Sequence, residues 1–268
     1  MKPNPPASGQ IASAPIACPR GAPATAVSGA LAAIGLSGPR PVLILVGGAA
    51  SLDGGVAARL LPLFTGLVPL LDRLGAAVID GGTPFGVMAL IGTARHGAAG
   101  SFPLIGIAPR GRVAAPAGIP PGGQGGFTES APRRDGGAIE PRVTLDPHHS
   151  HFFLVPGERW GDESPWLTAA AECLADGRGT LMLVAGGGEV TRWDVLHRLR
   201  QRGRILALAG SGGTADGLVA WCRGGQSPPV PGLTGADRAH IQVLELAAAG
   251  DRLHRLVARA LATRKREQ

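Results

Sequence analysis

Short apolar runs alternate with longer amphipathic stretches along most of this chain. The runs are continuous enough for strands buried on both faces, and they cover residues 41–46, 76–79, 102–107, 151–155, 180–185 and 204–209. Apolar positions at helical spacing fill the stretches between them, over about residues 54–74, 84–96, 163–176, 190–202 and 214–222. This alternation predicts an α/β fold, Rossmann-like, with an open and mostly parallel sheet flanked by helices on both faces.

One flank and one internal stretch depart from this rhythm. Residues 1–38 are predicted to be a flexible lead-in with a short helix, and the strand–helix domain then spans residues 39–223. Within that domain, residues 109–142 are rich in glycine, proline and arginine and show no periodicity. A loop of this length inside a compact domain indicates a functional or disordered segment.

The end of the chain forms the third region. A linker rich in glycine and proline occupies residues 224–233. Two amphipathic helices are predicted to follow it, at about residues 234–248 and 250–264. Residues 224–268 are therefore interpreted as a helical appendage to the main domain.

The charge balance is basic, with a formal net charge of +7 that comes almost entirely from arginine. A basic chain can attract nucleic acid, but no dense arginine stripe follows any predicted helix. Aromatic residues make up only 4% of the chain, which disfavours a protein that stacks nucleic-acid bases. We therefore expect scattered surface charges and a small-molecule partner.

Cysteine usage and apolar run length bear on location. The cysteines stand at positions 18, 173 and 222, without the spacing of a disulfide framework or a zinc site. No apolar run approaches the roughly 18–20 residues that a membrane span requires. We expect a cytoplasmic protein with no membrane partner; a homo-oligomer is left open.

Glycine-rich turns follow several of the predicted strands. In an open α/β sheet, ligands bind at the carboxyl ends of the strands, where glycine lets a backbone approach closely and a helix amino terminus favours phosphate. We expect a nucleotide-type, phosphate-bearing ligand at this edge. The candidate binding residues in and beside the turns are Gly47, Gly48, Ala49, Asp80, Gly81, Gly82, Thr83, Gly86, Gly187, Gly188, Glu189, Gly210, Ser211, Gly212, Gly213 and Thr214.

Two acids at these turns are candidate catalytic residues. Glu189 follows three glycines at a predicted helix start, where it either complements the helix dipole or acts as a general acid/base or ribose-hydroxyl acceptor. Asp80 ends the second predicted strand, and it either caps the turn or accepts hydrogen bonds from the ligand. Arg95, Arg110 and Arg112 lie near the same edge and could pair with phosphate.

The densest polar segment contains His148, His149 and His151. In an extended chain His149 and His151 share one face, whereas His148 points away. These histidines have either a structural role or a ligand-contacting role. No metal site is predicted, because a full set of ligands is not recognisable, and no cofactor is required.

Two nucleotide-binding classes are disfavoured by motif position. Residues 210–215 fit G-x-G-x-x-A, but they follow the last predicted strand of the domain and lack the acidic residue that a dehydrogenase fingerprint requires. The P-loop pattern is absent from the sequence.

Trp160 and Trp166, which flank a predicted helix start, are interpreted as core residues.

Several motifs together resemble the SLOG-in-TRPM (LSDAT) family, and its prokaryotic branch is the nearest fit. The resemblance covers about residues 40–220 in order. The segments that carry it are residues 45–49, 79–83 with 86–88, 106–108, 145–152, 154–157, 160–166, 187–189 and 209–216.

The resemblance implies membership of the Rossmannoid superfamily that includes DprA/Smf proteins and the LOG phosphoribohydrolases. It implies a sensor of ADP-ribose or a similar nucleotide; the alternative is a nucleoside 5′-monophosphate N-glycosidase, and a weaker one is a binder of single-stranded DNA. LOG enzymes carry a P-G-G-x-G-T-x-x-E signature with a catalytic glutamate. Residues 185–193 keep the glycines but lack that spacing of threonine and glutamate.

Overall fold

The computed structural model describes residues 16–17, 23–36, 38–49, 52–114 and 142–262. Most of the predicted long loop, residues 115–141, therefore lies outside the described part, as do residues 1–15 of the predicted lead-in.

The described chain contains one sheet in which every neighbouring pair of strands is parallel. The strand order across the sheet is β1-β5-β4-β3-β2-β6-β7-β8. The predicted α/β class and parallel sheet are confirmed. The strands are β1 (Ile16–Ala17), β2 (Val42–Gly47), β3 (Ala77–Asp80), β4 (Leu104–Pro109), β5 (His151–Val155), β6 (Thr180–Ala185), β7 (Ile205–Ala209) and β8 (Ile241–Glu245).

Helices cover both faces of the sheet, because strands that are apolar on both sides must be shielded from water on both sides. One core cluster lies between the sheet and α1, α4, α5 and α6, and a second lies between the sheet and α2, α3 and α7. The helices are α1 (Pro23–Ala33), α2 (Gly54–Arg73), α3 (Gly86–Gly97), α4 (Ser164–Ala175), α5 (Glu189–Arg200), α6 (Gly213–Cys222) and α7 (Gly250–Ala262).

The direction of winding reverses in the middle of the sheet. From β2 the chain moves outward through β3, β4 and β5, and then returns to place β6 on the other side of β2. The connections that leave β2 and β6 therefore diverge, which opens a crevice at their carboxyl ends. Such a switch point is where open α/β sheets bind ligands.

The predicted helix over residues 234–248 is wrong. The segment forms a short 3-10 helix (Gly235–His240), then strand β8, then another short 3-10 helix (Leu246–Ala248). Strand β8 pairs along its whole length with β7. The apolar positions that were counted as one face of a helix are thus used by an edge strand, whose pairing overrides local helical periodicity. The division of the chain at residue 223 stays a prediction.

Helix α2 is the one helix among the described residues that could cross a membrane by length and composition. Its apolar side is nevertheless buried in the second core cluster. It packs there against α3 and α7, as a core helix does.

Candidate functional site

A cavity of about 370 Å³ lies at the carboxyl edge of the sheet, where the winding reverses. Its floor is the end of β2, and its walls come from the turn after β3 and from the starts of α3, α4 and α5. Apolar side chains dominate the lining. The lining residues are Leu45, Val46, Gly47, Ala49, Gly81, Thr83, Phe85, Met88, Val143, Trp160, Glu163, Leu167, Val190, Thr191 and Asp194.

Four of the predicted binding residues line this cavity, namely Gly47, Ala49, Gly81 and Thr83. Gly48 and Gly86 instead pack against each other, and the Gly48 carbonyl accepts a hydrogen bond from the Val87 amide at 3.1 Å. A side chain at Gly86 would collide with the Gly48 backbone, so this glycine is required by the fold.

The turn after β6 leads into the cavity wall. Gly188 caps α5 with φ −108°, and no heavy atom lies within 4 Å of where its side chain would begin. Neither backbone conformation nor packing therefore demands glycine at this position. Val190 and Thr191, in the first turn of α5, line the cavity. The first amides of a helix lack intrahelical partners, so this bare helix start can receive an anion.

The turn after β7 is built differently. The Gly210 and Gly212 amides donate to the two carboxylate oxygens of Asp216, at 2.7 and 3.1 Å. The Thr214 amide donates to the Gly187 carbonyl at 2.8 Å. The Ser211 hydroxyl accepts from the Gly186 amide at 2.8 Å, which joins the two turns.

Amide and hydroxyl groups in the turn after β7 were expected to bind an anion. They instead make hydrogen bonds within the protein. None of the residues of that turn lines the cavity. The binding roles of Gly210, Ser211, Gly212, Gly213 and Thr214 stay predictions, and the amide contacts favour a structural role instead.

Asp80 is fully buried beneath the turn after β3 and does not line the cavity. Its Oδ1 atom accepts from the Gly82 amide at 2.7 Å and lies 2.7 Å from Nε2 of buried His149. Asp146 faces the other ring nitrogen of His149 at 3.7 Å. The arrangement agrees with the capping alternative for Asp80 and the structural alternative for His149.

His151 lies at the opposite edge of the sheet, because it is the first residue of β5. Its ring nitrogen pairs with the Ser150 hydroxyl at 2.8 Å. Burial, and after it the charges of Arg95 and Arg40, lowers the pKa of His151, which keeps the ring neutral. Arg95 donates hydrogen bonds to the Phe102 and His148 carbonyls. His151 and Arg95 therefore stabilise the fold away from the cavity.

Glu189 is exposed at the start of α5 and does not line the cavity. Its charge complements the helix dipole, the first of its two predicted alternatives.

Two acids that the sequence analysis did not select, Glu163 and Asp194, line the cavity. Glu163 is 4% exposed and Asp194 is 5% exposed. One Glu163 oxygen accepts from the Gly161 amide at 2.7 Å. The Oδ1 atom of Asp194 is buried and has no hydrogen-bond partner among the described residues. An unpartnered buried carboxylate oxygen is costly. Asp80 Oδ2 shares this property, so the place of Asp194 in the cavity lining is what makes it a candidate for ligand contact.

Both acids hold protons unusually tightly. Burial, and after it the neighbouring Asp194 carboxylate, raises the pKa of Glu163 to about 8. Burial raises the pKa of Asp194 to about 7, and the Ser164 hydroxyl beside it opposes part of that rise. Acids with such pKa values in a cleft are functional-site candidates.

Two aromatic side chains line the cavity, and a third, Trp193, lies near Gly161. Trp160, interpreted from the sequence as a core residue, is only half-buried and lines the cavity. The Arg112 guanidinium lies 5.6 Å from the centre of its ring. Phe85 is 45% exposed while it lines the cavity, and Trp193, beside Gly161, is 48% exposed. Exposed large aromatics at a cavity mouth are suited to contact with a ligand.

A sequence signal for Asp194 was present. The T-x-x-acid part of the LOG signature is kept at Thr191 and Asp194, with aspartate in place of glutamate. Because the signature requires glutamate at this position and a glycine directly before the threonine, the sequence alone did not single out Asp194. For Glu163, the sequence offered only its place in the family segment 160–166. Its burial depends on tertiary packing, which the sequence pattern does not reveal.

A family model described as "SLOG in TRPM, prokaryote" matches residues 40–255. The chain belongs to this family. The resemblance seen in the motifs is thus confirmed, and the matched range extends beyond the motifs to include β8 and the first turn of α7. No curated protein matches the chain.

The SLOG chain is also similar to solved structures, although at low identity. One is the Moco carrier protein from Chlamydomonas reinhardtii, at 14% identity and a TM-score of 0.48, covering 82% of this chain and 99% of that one. Another is the molybdenum cofactor binding protein from Rippkaea orientalis, at 11% identity and a TM-score of 0.49, covering 81% and 98%. A third, a structural-genomics target, has 17% identity and a TM-score of 0.48, covering 80% and 99%.

Proposed function

We infer that this SLOG protein binds a nucleotide-derived, phosphate-bearing small molecule at the switch-point cavity, as a cytoplasmic sensor of ADP-ribose or a related nucleotide. The observation that carries the proposal is the position of the cavity beside the bare start of α5. There Gly188 leaves open space, and the first helical residues form a cavity wall. The combination provides an enclosed space for one part of a ligand and a helix amino terminus for its phosphate.

The basic character of the chain supports an anionic ligand. The net charge is +7, and the Arg112 guanidinium lies against the ring of Trp160, which lines the cavity. Long-range attraction of this sign raises the rate at which an anion finds the site.

The first experiment measures thermal stabilisation by AMP, ADP-ribose and NAD, with ribose 5-phosphate as the fragment. A ligand at 100 times its Kd stabilises a protein by about 2.7 kcal/mol. We expect a rise in the melting temperature with at least one nucleotide. No rise with any of these compounds at millimolar concentration contradicts the proposal.

The phosphate position is tested by Gly188→Asp. Aspartate is a favourable helix cap, so the fold is expected to keep its stability, while its carboxylate occupies the place of the phosphate. We expect nucleotide affinity to fall at least tenfold. The matched control is Gly250→Asp, because Gly250 also begins a helix in open space but lies away from the cavity. If Gly188→Asp and Gly250→Asp bind the nucleotide with equal affinity, the phosphate does not lie at the start of α5.

A nucleoside 5′-monophosphate N-glycosidase is the second candidate, and the T-x-x-acid spacing with Asp194 in the cavity favours it. In this reaction the bond from ribose C1′ to the base nitrogen breaks and water adds to C1′. Asp194 would accept the water proton, and the base would leave with a proton from Glu163. A carboxyl pKa near 7 suits such proton transfer at neutral pH.

Turnover distinguishes the two candidates. Incubation with AMP, ADP-ribose and NAD releases free base or ribose phosphate if the protein is an enzyme, and Asp194→Asn then abolishes the release. Stabilisation without any release identifies a binding protein.

A further inference from the structure

The two carboxyl groups in the cavity are more informative than its size. Glu163 and Asp194 are the only titratable side chains among the described residues that line it, and no basic residue lines it. A phosphate inside this space would face two acids without a counter-charge. The phosphate therefore belongs outside the cavity, and the uncharged end of the ligand inside it.

The walls favour an apolar group over a polyhydroxylated one as that end. Besides the two acids, the hydroxyl-bearing side chains are Thr83 and Thr191, and both are engaged, with the Met88 sulfur at 3.4 Å and the Gly47 carbonyl at 3.3 Å respectively. A sugar in this space would leave hydroxyls without partners, which is unfavourable. A flat heterocycle needs apolar contact on its faces and hydrogen bonds only along one edge.

The lining fits such a ring. Leu45, Met88 and Leu167 give apolar surface, and the aromatic side chains of Phe85 and Trp160 stand nearby. The polar groups are on α5 and at the cap of α4, so they meet one side of a bound ring. There, the Asp194 carboxyl group, which lines the cavity, can accept a hydrogen bond from the ring edge.

Resting on the proposed function, we propose that the cavity selects an aminopurine: Asp194 accepts from the exocyclic amino group and Glu163 donates to the adjacent ring nitrogen. The nucleotide phosphate lies outside, at the start of α5. The pair thereby determines specificity for the base, and the helix start determines the requirement for phosphate.

Glu163 keeps its proton first because burial disfavours the charged carboxylate, and then because other acids lie close to it. Its carboxyl faces Asp194 on α5 and Asp162 in its own loop, while the Gly161 amide is its nearest donor. From β2 and α3 it meets no titratable side chain of the cavity lining. With a pKa of about 8, Glu163 keeps its proton at pH 7 and can donate it to a ring nitrogen.

Binding of adenosine, AMP, purine riboside and ribose 5-phosphate to the full chain, measured by calorimetry, tests the proposal. Purine riboside lacks only the exocyclic amino group of adenosine. We expect adenosine to bind at least tenfold more tightly than purine riboside, because the riboside leaves Asp194 without a donor. Equal affinities for the two nucleosides would overturn the proposal.

Variants of the pair give the second arm. Asp194→Leu, which removes both acceptor oxygens at similar volume, is expected to weaken adenosine and AMP at least tenfold and to leave ribose 5-phosphate unchanged. Glu163→Gln, which can still donate, is expected to retain adenosine binding and to remove its loss above pH 8. Asp251→Asn, which removes an exposed acid from α7, is the charge-matched control and should change nothing.

The outcomes separate this inference from the proposed function. Adenosine binding that is insensitive to both variants, or ribose 5-phosphate binding as tight as that of AMP, overturns the assignment of the base to the cavity. If AMP binds no better than adenosine, phosphate recognition fails while the base assignment stands. If Asp194→Leu does not fold, the purine riboside comparison and the pH profile of Glu163→Gln still decide.

Discussion

Two groups of buried acids lie near the same edge of the sheet, and they differ in their partners. Asp80 and Asp146 flank the ring of His149, and Asp80 also accepts from a backbone amide. Glu163 and Asp194 have no basic neighbour within the cavity lining; burial raises the pKa of both, and the Asp194 carboxylate raises that of Glu163 further.

The difference shows how a structural acid is told from a functional one. An acid that is buried with a hydrogen-bonding histidine stabilises its turn, as Asp80 does. An acid buried against apolar walls and a second acid destabilises the unliganded fold, and it is retained where it serves a ligand or a reaction. Four predictions test this contrast.

Asp80→Ala should give the largest effect, a loss of about 3 kcal/mol in the free energy of unfolding, because it leaves His149 buried without its partner. Urea unfolding measures the change. Asp251→Ala, on exposed α7 surface, is the control. If the free energy of unfolding falls by less than about 1 kcal/mol, Asp80 does not have the structural role assigned to it.

Asp194→Asn should instead increase the free energy of unfolding. Because the folded-state pKa is raised, to about 7, the folded protein holds the proton more tightly than the unfolded chain does. Stability from this group is present in acid and is lost as pH rises from about 4 to about 7. The variant should therefore be more stable than the natural protein at pH 8, and this gain should shrink as the pH falls to 5.

Melting temperatures at the two pH values measure this gap. A variant that is less stable than the natural protein at pH 8 would show that Asp194 is structural, like Asp80.

Asp216→Ala sharpens the contrast at the level of the two glycine turns. It removes the acceptor of the Gly210 and Gly212 amides, so stability should fall by about 1 kcal/mol. Nucleotide affinity should change by no more than about twofold, since this turn does not line the cavity. A tenfold loss of nucleotide affinity would show that the turn after β7 belongs to the binding site.

Glu189→Gln should give the smallest effect. The residue is exposed, and loss of its favourable charge at the start of α5 should cost about 0.3–1 kcal/mol. Removal of a charge beside the phosphate position should raise AMP affinity slightly. If turnover of AMP is found and this variant abolishes it, Glu189 is the general base in place of Asp194.

Local pattern was sufficient for most of the architecture. The apolar run over residues 180–185 coincides with β6, and the run over 151–155 coincides with β5, because a strand buried on both faces leaves a continuous apolar signature. Strand β8 was missed because an edge strand, partly exposed, carries no such signature: Gln242 and Glu245 face solvent while Leu244 is buried.

The candidate site was predictable only in outline. Glycine turns at strand ends located the edge, and Gly47 and Gly81 do line the cavity. The sequence could not distinguish the open turn at Gly188 from the turn that Asp216 closes, because both are runs of glycine before a helix.

The order of apolar and polar residues along this chain determined the parallel sheet, its helical layers and the edge where a ligand would bind, since these follow from short-range periodicity. The tertiary structure alone decided which acids meet there. Glu163 and Asp194 stand 31 positions apart in the sequence and become neighbours only when α4 and α5 pack together. Their shared environment, and therefore their chemistry, is a property of that packing.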